Sequence, residues 1–340
     1  MRIVPTIKIT DDVKKLRIAL NRFSKYNIDT IRFVVTKHSL DEHIEFIKLA
    51  QKIYSEINNK NFKLMLDIPC PKDKLRFDFI NDDDSVSFYE GESINIINNR
   101  DIQECEGVKT FFVAADFKDR VPETAIIGDG ELLLKLNTIS EKMITAVCMN
   151  SATIKKGKAI ASPTGFLKIT DVNITEKVLN IISIIHPEIC VLSYIEDAED
   201  INNFKATICK RAGYTPHIMS KIECQKAVDN AEAIVDNSDS IMIARGCLAV
   251  NVGIENMIES QDTAILECRK KYKEVCIASN ILRSLNSQNW PSRADIADLS
   301  YMIIKGVNYF VITDGYCMED RFDNLMYFLS NTYSIYSKRR

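Results

Sequence analysis

Three observations predict an α/β protein: a (β/α)8 TIM barrel with a small antiparallel β-barrel, a lid domain, inserted after the third strand. Short apolar strand signals recur at Ile3–Lys8, Thr30–Val34, Lys63–Asp67, Glu188–Ser193, His217–Lys221, Ser240–Ala244, Glu274–Ser279 and Asn308–Thr313. Amphipathic segments of helical period, such as DDVKKLRIALNRFSKY, DEHIEFIKLAQKIYSEI, EDINNFKATICKRA and ADIADLSYMIIKG, lie between most of them. A single long interval breaks this rhythm with alternating, turn-rich sequence.

Each element follows from its pattern. The strand signals are near-continuous runs of Val, Ile and Leu, as expected of parallel strands covered by helices on both faces. Eight such strand–helix units suit a closed barrel. Between the third and fourth strands, KLRFDF, VSFYEGESINII, TAIIGDGELLLKLNTI and MITAVCMNSATIKKGKAI alternate like half-exposed strands. Gly128-Asp129-Gly130 and Asn98-Asn99 are turn signals among them. The expected domains are therefore 1–68 (first part of the barrel), 69–161 (inserted lid) and 162–340 (second part of the barrel). Removing the insert leaves a remainder close to the ~250 residues of an ordinary barrel.

Composition narrows the function classes. The chain has 340 residues, 46% of them hydrophobic, enough for a large core. Net charge is −3 with no long basic block, and the terminal SKRR is a short solvated tail. No nucleic-acid surface and no membrane partner are expected from this balance. No apolar run reaches the roughly 18–20 residues of a membrane span. The N-terminus lacks an apolar core and cleavage site of a signal peptide, so a cytoplasmic location is expected. The ten cysteines contain no C-x-x-C pair, and those in apolar runs, such as Cys190 and Cys276, read as small buried thiols in a reducing compartment. His217 opens a strand and reads as structural.

Barrel chemistry collects at the C-terminal ends of the strands. That rim carries Lys8, Arg32, Asp67, Lys221 with Glu223, Arg245 with Cys247, Ser279, and Thr313 with Asp314. Lysines, arginines, carboxylates and a hydroxyl on one rim suit an anionic substrate, and a phosphorylated carboxylic acid would match the Lys/Arg set and the helix start after Gly246. Lys221 and Glu223, two apart on a strand, share one face. Some of these charges also suit barrel-core ion pairs.

The segments IMSKIECQKAVDNAEAIVDNSDSIMIARGCLAV, VCIASNILRSL and PSRADIADLSYMIIKGVNYFVIT closely resemble the pyruvate kinase family. They follow its Lys-Ile-Glu, Met-x-Ala-Arg-Gly-Asp-Leu-Gly, Ala-Thr-Gln-Met-Leu and Pro-Thr-Arg-Ala-Glu segments in order and spacing. RIVPTIKIT, DTIRFVVTKH, LMLDIPCP and ATIKKGKAI extend the likeness over barrel and lid. The resemblance implies a phosphotransferase acting on phosphoenolpyruvate/pyruvate or a related enol acid and a nucleotide, without the family's C-terminal regulatory domain. It makes Lys221, Ser279 and Arg32 catalytic, Ser279 standing where the family has threonine. It places Arg245, Gly246, Cys247 and Ser279 at the substrate, and Arg32 and Lys156 at the nucleotide. Glu223 becomes a ligand of a divalent metal, Mg²⁺ or Mn²⁺. Arg293 matches an arginine of structural or interface significance, and a homo-oligomer is compatible with the likeness.

The departures gather at the metal sites. Cys247 replaces the aspartate that is the second divalent-metal ligand, and Ala249 replaces a glycine of the same turn. In the monovalent-cation region Asp67 is kept, but Val34 and Thr36 replace an asparagine and a serine, and Ile68 a threonine. Lys72 falls near a glutamate position where lysine goes with potassium independence, so K⁺ is not expected to be required. Lys8-Ile9 stands in place of a Gly-Pro. Three functions follow: a kinase of low or altered metal use, a repurposed enolate or carbon–carbon bond enzyme using the Cys247 thiol, or a degenerate homologue that binds a phosphorylated ligand.

Overall fold

In this computed structural model, residues 1–35, 38–69, 77–79, 84–99, 107–113, 116–117, 123–128, 130–158, 160–161, 167–168 and 176–339 are described. Eight parallel strands close into a barrel: β1 (Arg2–Ile7), β2 (Thr30–Val34), β3 (Lys63–Ile68), β4 (Ile189–Leu192), β5 (His217–Ile222), β6 (Ser240–Ala244), β7 (Glu274–Ala278) and β8 (Tyr309–Ile312). They pair in chain order, and β1 closes the ring by pairing with β8, Arg2 opposite Tyr309. Each strand ends within one residue of the position read from its apolar run. The Cα partners Arg32–Met65, Val34–Asp67 and Lys221–Met242 set the register that places the rim residues.

The barrel interior is packed by Val4, Met65, Val191, Met219, Met242, Cys276, Tyr309 and Val311 among others. Cys190 and Cys276 are fully buried, and burial pushes both thiols well above the ordinary range. Such thiols are small apolar fillers with no tendency to ionise. Cys70 and Cys105 lie outside the described residues.

The helices start where capping chemistry permits. Asp12 accepts a hydrogen bond from Lys15 N and opens helix Val13–Lys25, which buries Leu16, Ala19, Leu20 and Phe23 at three- and four-residue spacing. Ser39 and Glu42 form a reciprocal capping box at helix Leu40–Asn58. A cap of this kind contributes about 1 kcal/mol. No described helix is long and apolar enough to cross a membrane.

The chain divides into two compact units. One comprises Met1–Pro69, Ile174–Gly246 and Ile258–Arg340; the other comprises Cys70–Asn173 and Cys247–Met257. The second unit holds a seven-stranded sheet in the order Ile160–Ala161, Thr124–Ile127, Leu132–Ile139, Met143–Cys148, Ser93–Ile97, Lys109–Val113, Phe77–Phe79. Its pairings are antiparallel except one: Ser93–Ile97 and Lys109–Val113 run parallel. Its own core is formed by Phe88, Ile94, Ile96, Phe111, Leu132, Leu134, Ile144 and Ile154. Gly128 and Gly130 adopt φ of +69° and +100° at the turn between Thr124–Ile127 and Leu132–Ile139. A side chain at Gly128 would collide with the Glu131 carboxylate.

Candidate functional site

At the C-terminal ends of adjacent strands the barrel brings three of the expected residues into one network. Asp67, the fifth residue of β3, is almost fully buried. Its Oδ1 lies 2.8 Å from Lys221 Nζ on β5. Its Oδ2 accepts from Arg32 Nε at 2.8 Å and Nη2 at 2.6 Å on β2. Arg32 Nη1 also donates to Thr6 Oγ1 on β1 at 2.8 Å. Four strands thus contribute one residue each. Burial alone would raise the Asp67 carboxyl, but the charges of Lys221 and Arg32 outweigh it and hold the group below the usual carboxylate range.

The residue after β4 completes this network. Ser193 Oγ donates to the Ile68 carbonyl at 2.7 Å and accepts from Lys221 Nζ at 3.0 Å. Beside it, Tyr194 adopts φ of 51° and donates its backbone N–H to Glu223 Oε2 at 2.7 Å. Glu223 is 2% exposed, directly after the end of β5. Thr6 and Ser193 escape sequence reasoning because a lone hydroxyl at a strand end carries no pattern of its own. The position of each at a strand terminus is the signal that could have found it.

A second group lies beyond β6 and β7. The Arg245 guanidinium is buried and donates from Nη1 to Asp298 Oδ1 at 2.7 Å and from Nη2 to the Ser279 carbonyl at 3.0 Å. Arg245 thereby reaches two internal partners, a carboxylate on helix Arg293–Ile304 and the chain segment after β7, while its buried Nε makes no hydrogen bond among the described residues. That segment bends sharply: Ser279, Asn280 and Leu282 all have positive φ, 78°, 57° and 51°. Tyr316 holds its far end by donating to the Leu282 carbonyl at 2.8 Å. Arg293 is exposed as the first residue of its helix, after the capping Ser292.

The other expected residues each have their own local setting. Gly246 and Cys247 follow Arg245 in helix Arg245–Val252, both partly exposed. The Cys247 carbonyl accepts from Asn251 Nδ2 at 2.8 Å. Lys156 is exposed after the strand Ala152–Lys155, and its backbone N–H donates to the Asp84 carbonyl at 2.9 Å. Thr36 and Lys72 lie outside the described residues. His217 Nε2 lies 2.7 Å from Ser240 Oγ, at the opposite end of the strands.

Of the two expected divalent-metal ligands, Glu223 offers a carboxylate and Cys247 a thiol, so the pair supplies a single hard donor group. Among the described residues, no group of three or more His, Cys, Asp or Glu could hold a metal ion. Asp67 has both oxygens occupied by cations, and one Glu223 oxygen is held by a backbone amide. Magnesium selects oxygen ligands in near-octahedral geometry, and a thiol such as Cys247 is a soft substitute.

Residues 1–315 match the family model described as pyruvate kinase, barrel domain. A pyruvate kinase of Thermotoga maritima is 26% identical over 267 residues, covering 78% of this chain and 56% of that protein. A pyruvate kinase of Thermococcus litoralis is 24% identical over 306 residues, covering 88% of this chain and 62% of that protein. The chain therefore spans less than two-thirds of the length of these curated relatives. The crystal structure of a pyruvate kinase from Cryptosporidium parvum shares the fold with a TM-score of 0.80 at 20% identity, covering 98% of this chain and 69% of that one. With a barrel-domain match along nearly its whole length, the chain belongs to the pyruvate kinase family.

Proposed function

We propose that this chain is a pyruvate kinase-like phosphotransferase that moves a phosphoryl group between phosphoenolpyruvate, or a related enol acid, and a nucleotide. The observation that carries the reading is the Lys221 ammonium, held at the barrel rim between Asp67 and Ser193, with Arg32 on the same carboxylate. In phosphoryl transfer most of the protein's work is positioning and charge stabilisation, and a fixed ammonium supplies both. Lys221 neutralises charge on the transferring group. Arg32 contacts the same phosphate from β2. Ser279 offers its hydroxyl beside the reacting carbon, Gly246 offers its backbone at the substrate, and Lys156 meets the nucleotide phosphates.

Metal use is altered in this reading. Glu223 remains the carboxylate of the ancestral metal position, and Cys247 in place of aspartate lowers turnover with magnesium. Because Lys221 and Arg32 occupy both Asp67 oxygens, fixed cations stand beside the carboxylate and a monovalent ion is not required. The cytoplasm suits a chain whose eight described cysteines form no disulfide. The test is pyruvate formation from phosphoenolpyruvate and ADP with Mg²⁺, Mn²⁺ or Co²⁺, each with and without K⁺. A rate above background that is insensitive to K⁺ is expected. No rate with any of the three metals ends the proposal.

One observation favours a second reading, a homologue that binds a phosphorylated ligand without turning it over: a thiol, Cys247, stands where the family has a metal-binding aspartate. In that case phosphoenolpyruvate raises the melting temperature by the linkage expected for a ligand of the folded state, while no pyruvate forms.

A further inference from the structure

The Lys221 ammonium has three N–H donors on a freely rotating group. One is directed at Asp67 Oδ1, 2.8 Å away, and a second at Ser193 Oγ, 3.0 Å away. One partner already sets the rotation about the Cε–Nζ bond; a second deepens that preference, and the two together hold the third N–H in one direction. Ser193 is suited to this task because its own proton is spent elsewhere. It donates to the Ile68 carbonyl at 2.7 Å, so lone pairs are what it presents to the ammonium. Its Oγ also stands 3.5 Å from Asp67 Oδ1.

The placement of Ser193 is in turn fixed by the chain. It directly follows β4, whose Leu192 pairs with Ile68 of β3 and Ser220 of β5. The next residue, Tyr194, turns into the left-handed region and holds Glu223 through its amide. Two consecutive residues after β4 therefore grip the two charges carried by the end of β5. A non-glycine residue in this conformation is uncommon and persists where surrounding contacts determine it.

We propose that Ser193 is a positioning residue for Lys221: it aims the third ammonium N–H at the phosphoryl group. The aim toward a phosphoryl group rests on the phosphotransferase reading above. The hold on the ammonium stands without it. Ser193 touches no reacting atom in this assignment and acts through the lysine.

The experiment uses the full chain labelled with ¹⁵N-lysine and three variants, Ser193→Ala, Ser193→Thr and Lys221→Met, the last to assign the Lys221 ammonium signal. The ammonium proton-exchange rate with water reports its hydrogen bonds directly, and a purely structural role of the serine would leave it unchanged. In Ser193→Ala, loss of a hydrogen bond to a charged group raises that rate about tenfold and lowers kcat about tenfold, with KM changed less than about twofold. Ser193→Thr keeps the hydroxyl and restores both. An unchanged exchange rate in Ser193→Ala overturns the inference. So does a Ser193→Thr protein of wild-type melting temperature whose exchange stays fast. Faster exchange in Ser193→Ala, in a protein that forms no pyruvate with any metal, supports the grip on Lys221 and retires the phosphotransferase reading instead.

Discussion

Both ends of the barrel carry ion pairs, and their surroundings differ. At the N-terminal end, Arg2 on β1 pairs with Glu274 on β7 at 2.8 Å, and both side chains are close to half exposed. The Arg2 guanidinium also lies over the Tyr309 ring, 4.8 Å from its centre. At the C-terminal end, Lys221 and Asp67 pair at the same distance with side chains 9% and 2% exposed. Equal geometry therefore has unequal cost. A solvated pair contributes little and loses little when broken, whereas a buried pair has surrendered its water and depends on every partner. In this barrel the desolvated pair lies at the end where barrel chemistry collects, and the solvated pair at the end associated with stability.

Breaking the buried network gives the largest effect. Asp67→Ala leaves Lys221 and Arg32 facing each other without the carboxylate between them, and should destabilise the barrel by about 3–5 kcal/mol in urea unfolding. Restoring an acid at the altered turn tests the chemistry of the same end: Cys247→Asp should raise magnesium-dependent pyruvate formation by about tenfold or more, read as kcat/KM. An unchanged rate would mean that the thiol is not what limits metal use.

Acid separates the two ends differently. Asp67 is held below its ordinary value in the fold, so its contribution is present above the unfolded carboxyl pKa of about 3.9 and is lost as pH falls through the lower folded value. Urea midpoints from pH 6 down to 3 should fall in the wild type most steeply at the acid end of this range, and Asp67→Asn should flatten that fall. His217, half-buried at the other end, is held neutral chiefly by burial, which lowers its pKa. Its neutral-form stability is present above the unfolded value of about 6.5 and declines as pH drops through the folded one. The slope of the urea midpoint between pH 7 and 5 should be shallower in His217→Gln. The smallest effect is expected for Arg2→Ala, at most about 1 kcal/mol, because its ion pair is solvated.

Much of the barrel was legible because buried parallel strands announce themselves locally. The eight apolar runs end at the observed strand ends to within one residue, and the rim residues at those ends follow directly. The reading loses resolution wherever the partner is remote in sequence. Sequence alone does not show that the Arg245 guanidinium reaches Asp298 and the Ser279 carbonyl, 53 and 34 residues away. The parallel pairing of Ser93–Ile97 with Lys109–Val113 is hidden in the same way, since alternation fixes which face a residue takes but not which neighbour a strand chooses. Ser193 sat at the edge of a correctly placed strand and drew no notice until its hydroxyl was seen between Ile68 and Lys221.

The left-handed run Ser279–Asn280–Leu282 has a consequence for which residues can occupy position 279. A backbone at φ of 78° resists β-branching, because a second heavy atom on Cβ crowds the neighbouring carbonyl. Serine keeps the hydroxyl with one fewer heavy atom than threonine and so sits there with less strain. The bend is anchored by Arg245 at one end and by Tyr316 at the other. Those two distant side chains hold the bend at both of its ends, so the backbone shape at position 279 depends on residues far from it in sequence.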